Sequence, residues 1–289
     1  MPTRKVTFDF FTFKCPTDQN ILVKTLEMEL KIRQLNKHSN VPLFDYVCRI
    51  WDIEKSPEQY YKCNVEKINI LDEAHIGDTG NKRTTVATNP NQGPLFDTAF
   101  LYNPLNHVLI LQRNRSGLGH ASFTSFLGRL TQKDDIELEL ILDPNILVKL
   151  EKMSLVKKVS YTISKPTSYE FARDKNRSMD GDLALMENLQ GDTLKVEIGS
   201  NKGKELTLEN AKSKIKSILG LSGKISRLNV RGQIGEDLET IDLIKHRVRH
   251  VEPFKLTKGK KITVPMIMDS LPKAYNQHAT NLNRMYINR

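Results

Sequence analysis

Cysteine is scarce in this chain. Its 289 residues hold three, Cys15, Cys48 and Cys63, scattered and without a C-x-x-C pair. That is too few for a disulfide framework and the wrong spacing for a zinc finger or dithiol redox centre, so a reducing compartment is expected. Long apolar runs are also missing: none approaches the roughly 18–20 residues that cross a bilayer. The opening stretch MPTRKVTFDFFTFKCP alternates polar and apolar residues and has no continuous hydrophobic middle like that of a secretory signal. A cytoplasmic protein without membrane insertion is the expectation. Glycine and proline, 15 and 12 residues, show no collagen-like period, and no low-complexity tract or internal repeat is visible. Membrane, collagen-like, knottin-like and zinc-finger readings are excluded.

What is present is a buriable core and an excess of cations. Hydrophobic residues make up 38% of the chain, enough to exclude global disorder, and 44 Lys+Arg against 34 Asp+Glu give a net charge of +10. Val6, Phe8, Phe10 and Thr12 alternate with Thr7, Asp9, Phe11 and Phe13, which predicts a strand over 6–13. Leu22, Leu26 and Leu30 predict a helix over about 19–35. Strands follow at 47–51 and 63–71, and a hairpin at 96–111 turns at Asn103-Pro104-Leu105-Asn106. A helix over 121–130, a strand over 136–142, a short helix opened by Pro144 and a strand over 156–164 complete the first part. The polar segment 72–94 reads as a functional or mobile loop. Further on, Leu194, Val196 and Ile198 alternate with polar residues in a strand, Thr207 can cap a helix over 208–219, and Ile225, Leu228 and Val230 mark another strand. A final helix over 270–287 requires Pro272 in its first turn. The pattern predicts an α+β protein with mixed or antiparallel sheets and packed helices. Its units are an N-terminal one over 1–165, a linker or loop over 166–189 and a basic C-terminal one over 190–289.

The charge is uneven. Between Lys202 and Lys261 there are fifteen Lys/Arg and seven Asp/Glu, leaving +8 of the chain's +10 in about a fifth of its length. Lys212 and Lys216 lie i,i+4 on one helix, and Lys224, Arg227, Arg231, Arg247 and Arg249 follow. Clustered cations bind polyanions by releasing condensed counterions. Phe254 is the sole aromatic in this window, which favours contact with a phosphate backbone over base stacking. A second candidate is the segment Gln112 to Ser122. There Arg113 and Arg115 leave a strand, Gly117 and Gly119 permit a tight turn, and His120 and Ser122 open a helix whose N-terminal amides attract anions. Gly-x-Gly and Arg-x-Arg are short, and neither the dinucleotide fingerprint nor a Lys-Ser/Thr phosphate loop is present.

Other motifs carry less. Asp72-Glu73-Ala74-His75 after an apolar strand looks like a helicase magnesium box, but no G-x-x-x-x-G-K-[ST] loop accompanies it. His246 and His250 have no third ligand at a recognisable distance and sit among cations. No Gly-x-Ser-x-Gly elbow or thiol-enzyme signature occurs, so no cofactor and no catalytic residue is assigned. The alternatives to nucleic-acid binding are a metal-dependent nuclease using carboxylates such as Asp72 or Asp78, and a protein–protein module, an inhibitor or assembly subunit, meeting an acidic partner. A homo-oligomer stays open.

The stretches Phe96 to Pro104 and Val108 to Gly117, with His75 to Gly77 and Gly203 to Thr207, resemble uncharacterised proteins of similar length from bacterial genomes, prophages and phages. A more distant likeness is to the DNA-binding subunit of the Kiwa anti-phage system. The shared features cover about half the chain and include no catalytic signature. The resemblance implies a mobile-element or phage-defence (antiviral) setting and a non-catalytic or cryptic activity, and it transfers no site residues.

Overall fold

The computed structural model describes residues 3–80, 82–164, 180–201, 203–220, 225–257 and 259–287. It is an α+β fold of fourteen strands and six helices among those residues, with every named strand pair antiparallel.

The chain opens with β1 (Thr3–Lys14), α1 (Ile21–Gln34), β2 (Val41–Leu43), β3 (Tyr46–Lys55) and β4 (Tyr61–Asn69). Then come β5 (Ala74–Gly77), β6 (Arg83–Val86), β7 (Leu95–Asn103), β8 (Val108–Gln112), α2 (His120–Thr131) and β9 (Glu137–Leu140). Short helix α3 (Pro144–Glu151), β10 (Leu155–Ser164), α4 (Asp180–Asn188), β11 (Thr193–Gly199) and α5 (Leu208–Gly220) follow. The last elements are β12 (Ile225–Ile234), β13 (Asp237–Asp242), β14 (Arg249–Lys255) and α6 (Val264–Tyr286).

Alternation in β1 builds a sheet buried on both faces. Phe11 and Phe13 enter one apolar cluster with Leu22 and Leu26 of α1 and Phe123 and Phe126 of α2. Phe8 and Phe10 enter the other, beneath Met268, Leu271, Ala274 and Tyr275 of α6. Each phenylalanine is nearly inaccessible to water and contributes roughly 1.5–3 kcal/mol by burial. The strand order is β14-β1-β8-β7-β4-β3-β2, with β9 also paired to β1. A second sheet has the order β11-β10-β12-β13. Val159, Tyr161 and Ile163 of β10 and Leu228 and Val230 of β12 pack on Ala211, Ile215 and Ile218 of α5 and Leu183 of α4.

The sheets divide the chain differently from a cut at 165–190. Strand β10 lies inside the second sheet, and β14 and α6 return to the first, where Thr3 to Asp9 pair with Lys255 to Arg249. Periodicity marks strands but does not encode pairing between segments some 240 residues apart. Most of the segment read as a linker, residues 166–179, lies outside the described residues, and 180–188 is helical. The 72–94 segment is not loop throughout: β5 and β6 form an exposed hairpin. Helix α6 begins six residues before the predicted start, with Pro265 in its first turn and Pro272 inside it. An internal proline costs about 3 kcal/mol or more, which the buried face of this 23-residue helix outweighs. No helix of the described residues is long and apolar enough to cross a membrane.

Candidate functional site

The predicted basic surface does not form one stripe. Helix α5 covers the apolar face of the second sheet, so Lys212 and Lys216 lie across that sheet from Arg227 and Arg231. Their neighbour Lys214 is bridged to Asp182 at 2.8 Å. Lys224 falls outside the described residues. Arg247 and Arg249 travel with the first sheet, through the bridge of Arg247 to Leu142 and the pairing of Arg249 with Asp9. Sequence clustering failed as a guide because strand alternation and the return of β14 send neighbours in sequence to three different surfaces.

The three surfaces are not equal. Among the described residues the helices α4 and α5 pack on one face of the second sheet, and the opposite face holds a shallow groove of about 340 Å³. Side chains on one face of a sheet recur every second residue, and antiparallel pairing aligns them across strands. One row therefore runs Lys158–Arg231–Thr240 and another Lys195–Thr162–Arg227. Four residues at about 3.3 Å each set these rows roughly 13 Å apart. Between them lie Ser160, Asn229 and Glu197. Glu197 bridges Lys158 at 2.5 Å, and at the β13 edge Asp242 bridges Lys245 at 3.3 Å. The groove itself thus carries four cations and one carboxylate. Tyr161 adds no stacking platform: its ring is packed among the apolar residues beneath the sheet and its hydroxyl donates to Asp182 at 2.6 Å. Burial and that carboxylate together push its pKa up, so it stays a neutral donor.

Lys158 and Lys195 escaped the sequence analysis because they precede the window in which charge was counted. The signal was available in the alternation of Leu194, Val196 and Ile198, which sends Lys195 and Glu197 to the face opposite the core.

The segment after β8 does assemble. Arg113, Arg115, Gly119 and His120 line a cleft of about 290 Å³ together with Asp9 and Arg247. Asp9 accepts from Arg113 Nη2 at 2.6 and 2.7 Å and from Nε at 3.0 Å, and from Arg247 Nε at 3.0 Å. Arg247 also donates to the Ile244 carbonyl at 2.8 Å. Two guanidiniums 134 positions apart are thus fixed by one carboxylate, which balances only one of them. Asp9 and Arg247 have side chains only 14% and 15% exposed, while Arg113 is 42% exposed and Arg115 is exposed.

Both glycines serve this turn, for reasons other than positive φ. A Cβ on Gly117 would sit 2.2 Å from Thr98 Oγ1 and 2.9 Å from the Asp97 carbonyl, so the chain there passes too close to β7 for any side chain. Gly119 caps α2 in an extended conformation, with φ −74° and ψ 166° and no side-chain cap. A Cβ there would meet nothing within 4 Å. His120 is more structural than expected: its ring stacks on Phe11 at 4.5 Å and its Nε2 lies 3.0 Å from the Leu138 carbonyl. Ser122 points elsewhere, hydrogen-bonded to Tyr46.

The carboxylates weighed for a nuclease are occupied locally. Asp78 accepts from the Gly80 and Lys82 amides within its own turn, and Asp72 accepts from Asn69. His246 sits in a turn and His250 in β14, so they do not share a helix face. Among the described residues no group of three or more His, Cys, Asp or Glu is placed to hold a metal ion.

A model for a family of unknown function, DUF6731, matches residues 1–285, and the chain belongs to that family. No curated protein matches it. Neither finding bears on the likeness to the Kiwa subunit or on a phage setting.

Proposed function

We propose that this protein binds nucleic acid through the open face of its second sheet, holding phosphates with Lys158, Lys195, Arg227 and Arg231. The observation that carries the reading is the alignment of these four cations on the sheet face opposite α5, where Glu197 is the one carboxylate among the described residues that line the groove. Such a surface gains affinity by counterion release and reads charge and spacing, not base identity. With the Tyr161 ring directed beneath the sheet, the contacts are to the phosphate backbone. The two rows stand about as far apart as the roughly 12 Å width of the B-DNA major groove, which makes duplex DNA the first ligand to test.

The test is fluorescence anisotropy with a 20-base-pair duplex at low salt. Arg227→Glu with Arg231→Glu should abolish binding. Lys212→Glu with Lys216→Glu, across the sheet, should change affinity by less than about threefold. Equal losses in both variants, or none in the first, would overturn the proposal. A metal-dependent nuclease gains no support from the carboxylate placements above, and no observation specifically favours an acidic protein partner over nucleic acid.

A further inference from the structure

We infer that the cleft framed by Arg113, Arg115 and Arg247 is a separate site for a phosphomonoester, either a free mononucleotide or the 5′-phosphate end of a nucleic-acid strand. It stands apart from the sheet face and does not depend on it. The argument begins with charge. Three guanidiniums and one carboxylate, Asp9, leave the cleft at +2. A phosphomonoester carries about −1.5 to −2 at neutral pH, where a phosphodiester or carboxylate carries one charge. The dianion is the closer match.

Geometry narrows the ligand. Asp9 holds Arg113 and Arg247 in fixed orientation from the buried side, so little side-chain entropy remains to be lost when their remaining N–H groups meet phosphate oxygens. Arg115 enters from the exposed rim. Open space at Gly119 lets an anion approach the first amides of α2 without meeting a side chain. That helix end reinforces a site the arginines and cavity already define. Phe11, Leu140, Ile225 and Ile244 form an apolar wall beside the cations. A ligand that fills the cleft therefore joins a dianionic head to an apolar or aromatic body. At about 290 Å³ the space suits a group of mononucleotide size, just under the range of roughly 300–1,000 Å³ usual for small-molecule pockets. The location agrees: Arg113 and Asp9 come from the first sheet, Ile225 from the start of β12 in the second, and junctions between units are where such pockets concentrate.

Titration calorimetry with AMP, and separately with inorganic phosphate, tests the site on the full-length protein. AMP should bind, and more tightly than phosphate, since phosphate cannot use the apolar wall. Arg115→Gln, at an exposed position whose loss leaves the Asp9 bridges intact, should weaken AMP at least tenfold. Arg227→Glu with Arg231→Glu should leave AMP affinity unchanged, so failure at the sheet face and failure here are separable. Oligonucleotides with a 5′-phosphate or a 5′-hydroxyl distinguish the source. A preference for the phosphorylated end, competed by AMP, identifies the strand terminus, and AMP binding without that preference identifies a free nucleotide. No heat with AMP at millimolar concentration, or equal affinity in Arg115→Gln and the unaltered chain, overturns the inference.

Discussion

Replacing Gly117 by alanine is the sharpest probe of how the arginine cleft is built. The added Cβ would lie 2.2 Å from Thr98 Oγ1, 2.9 Å from the Asp97 carbonyl and 3.1 Å from Asn114 Nδ2. Two of these distances are shorter than any real Cβ contact, and one partner is backbone, which cannot rotate away. Overpacking of this kind typically costs about 1–3 kcal/mol. Thr98 Oγ1 is also the acceptor for the Leu118 amide at 2.8 Å, and Thr98 is fully buried. If the loop lifts to make room, that donor is stranded, at a further cost of about 1–3 kcal/mol. The sum, about 2–6 kcal/mol, would lower a urea midpoint by roughly 0.7–2.0 M at a slope near 3 kcal/mol/M. Combining it with Thr98→Ala removes the worst clash, so the double variant should cost clearly less than the two singles added together. An unchanged midpoint in Gly117→Ala, or strict additivity in the double variant, would refute the close-approach argument.

Two further outcomes follow from buried polar groups. The Tyr275 hydroxyl accepts from Asn103 and Asn106 at 2.7 and 2.8 Å and donates to Asn283 at 3.1 Å, tying α6 to the β7–β8 turn. Tyr275→Phe leaves the buried Asn103 amide without that acceptor and should cost about 1–3 kcal/mol by urea denaturation, and an unaltered midpoint would contradict this. His107 and His278 have pKa values lowered by burial from the usual 6.5, so the unfolded chain binds their protons first. Their stabilisation is complete above pH 6.5 and is lost as pH falls below it towards the folded-state pKa. The buried carboxyls of Glu29 and Glu66, raised by burial, act in the opposite sense towards acid pH. The melting temperature should therefore fall between pH 7.5 and 6, less steeply in a His107→Asn, His278→Gln double variant. Equal slopes in both proteins would exclude these histidines as the cause.

Local structure was legible where burial writes a period into the chain. The two-sided alternation of β1, the turn of the β7–β8 hairpin, the start of α2 and the half-buried β11 all follow from residue spacing. Strands β13 and β14 were not predicted. They are short, largely exposed and rich in charge, so their identity comes from the partners they pair with. Site residues divide the same way. Arg113, Arg115 and Gly119 meet because they are local to one turn. Asp9 and Arg247 join them only through the pairing of β1 with β14, a contact no spacing rule announces. The cation cluster was misleading for a related reason, since counting charge along the chain ignores which side of a strand each residue occupies.

The salt dependence of duplex binding tests the account most directly. Four phosphate contacts predict a slope of log K against log salt near −3.6, which amounts to roughly 150-fold weaker binding at 200 mM than at 50 mM. Neutralising two of them with Arg227→Gln and Arg231→Gln should halve the slope to about −1.8 and reduce that change to roughly 12-fold. A slope that stays the same in this variant would mean that phosphates are held elsewhere, and that the open sheet face is not the nucleic-acid surface.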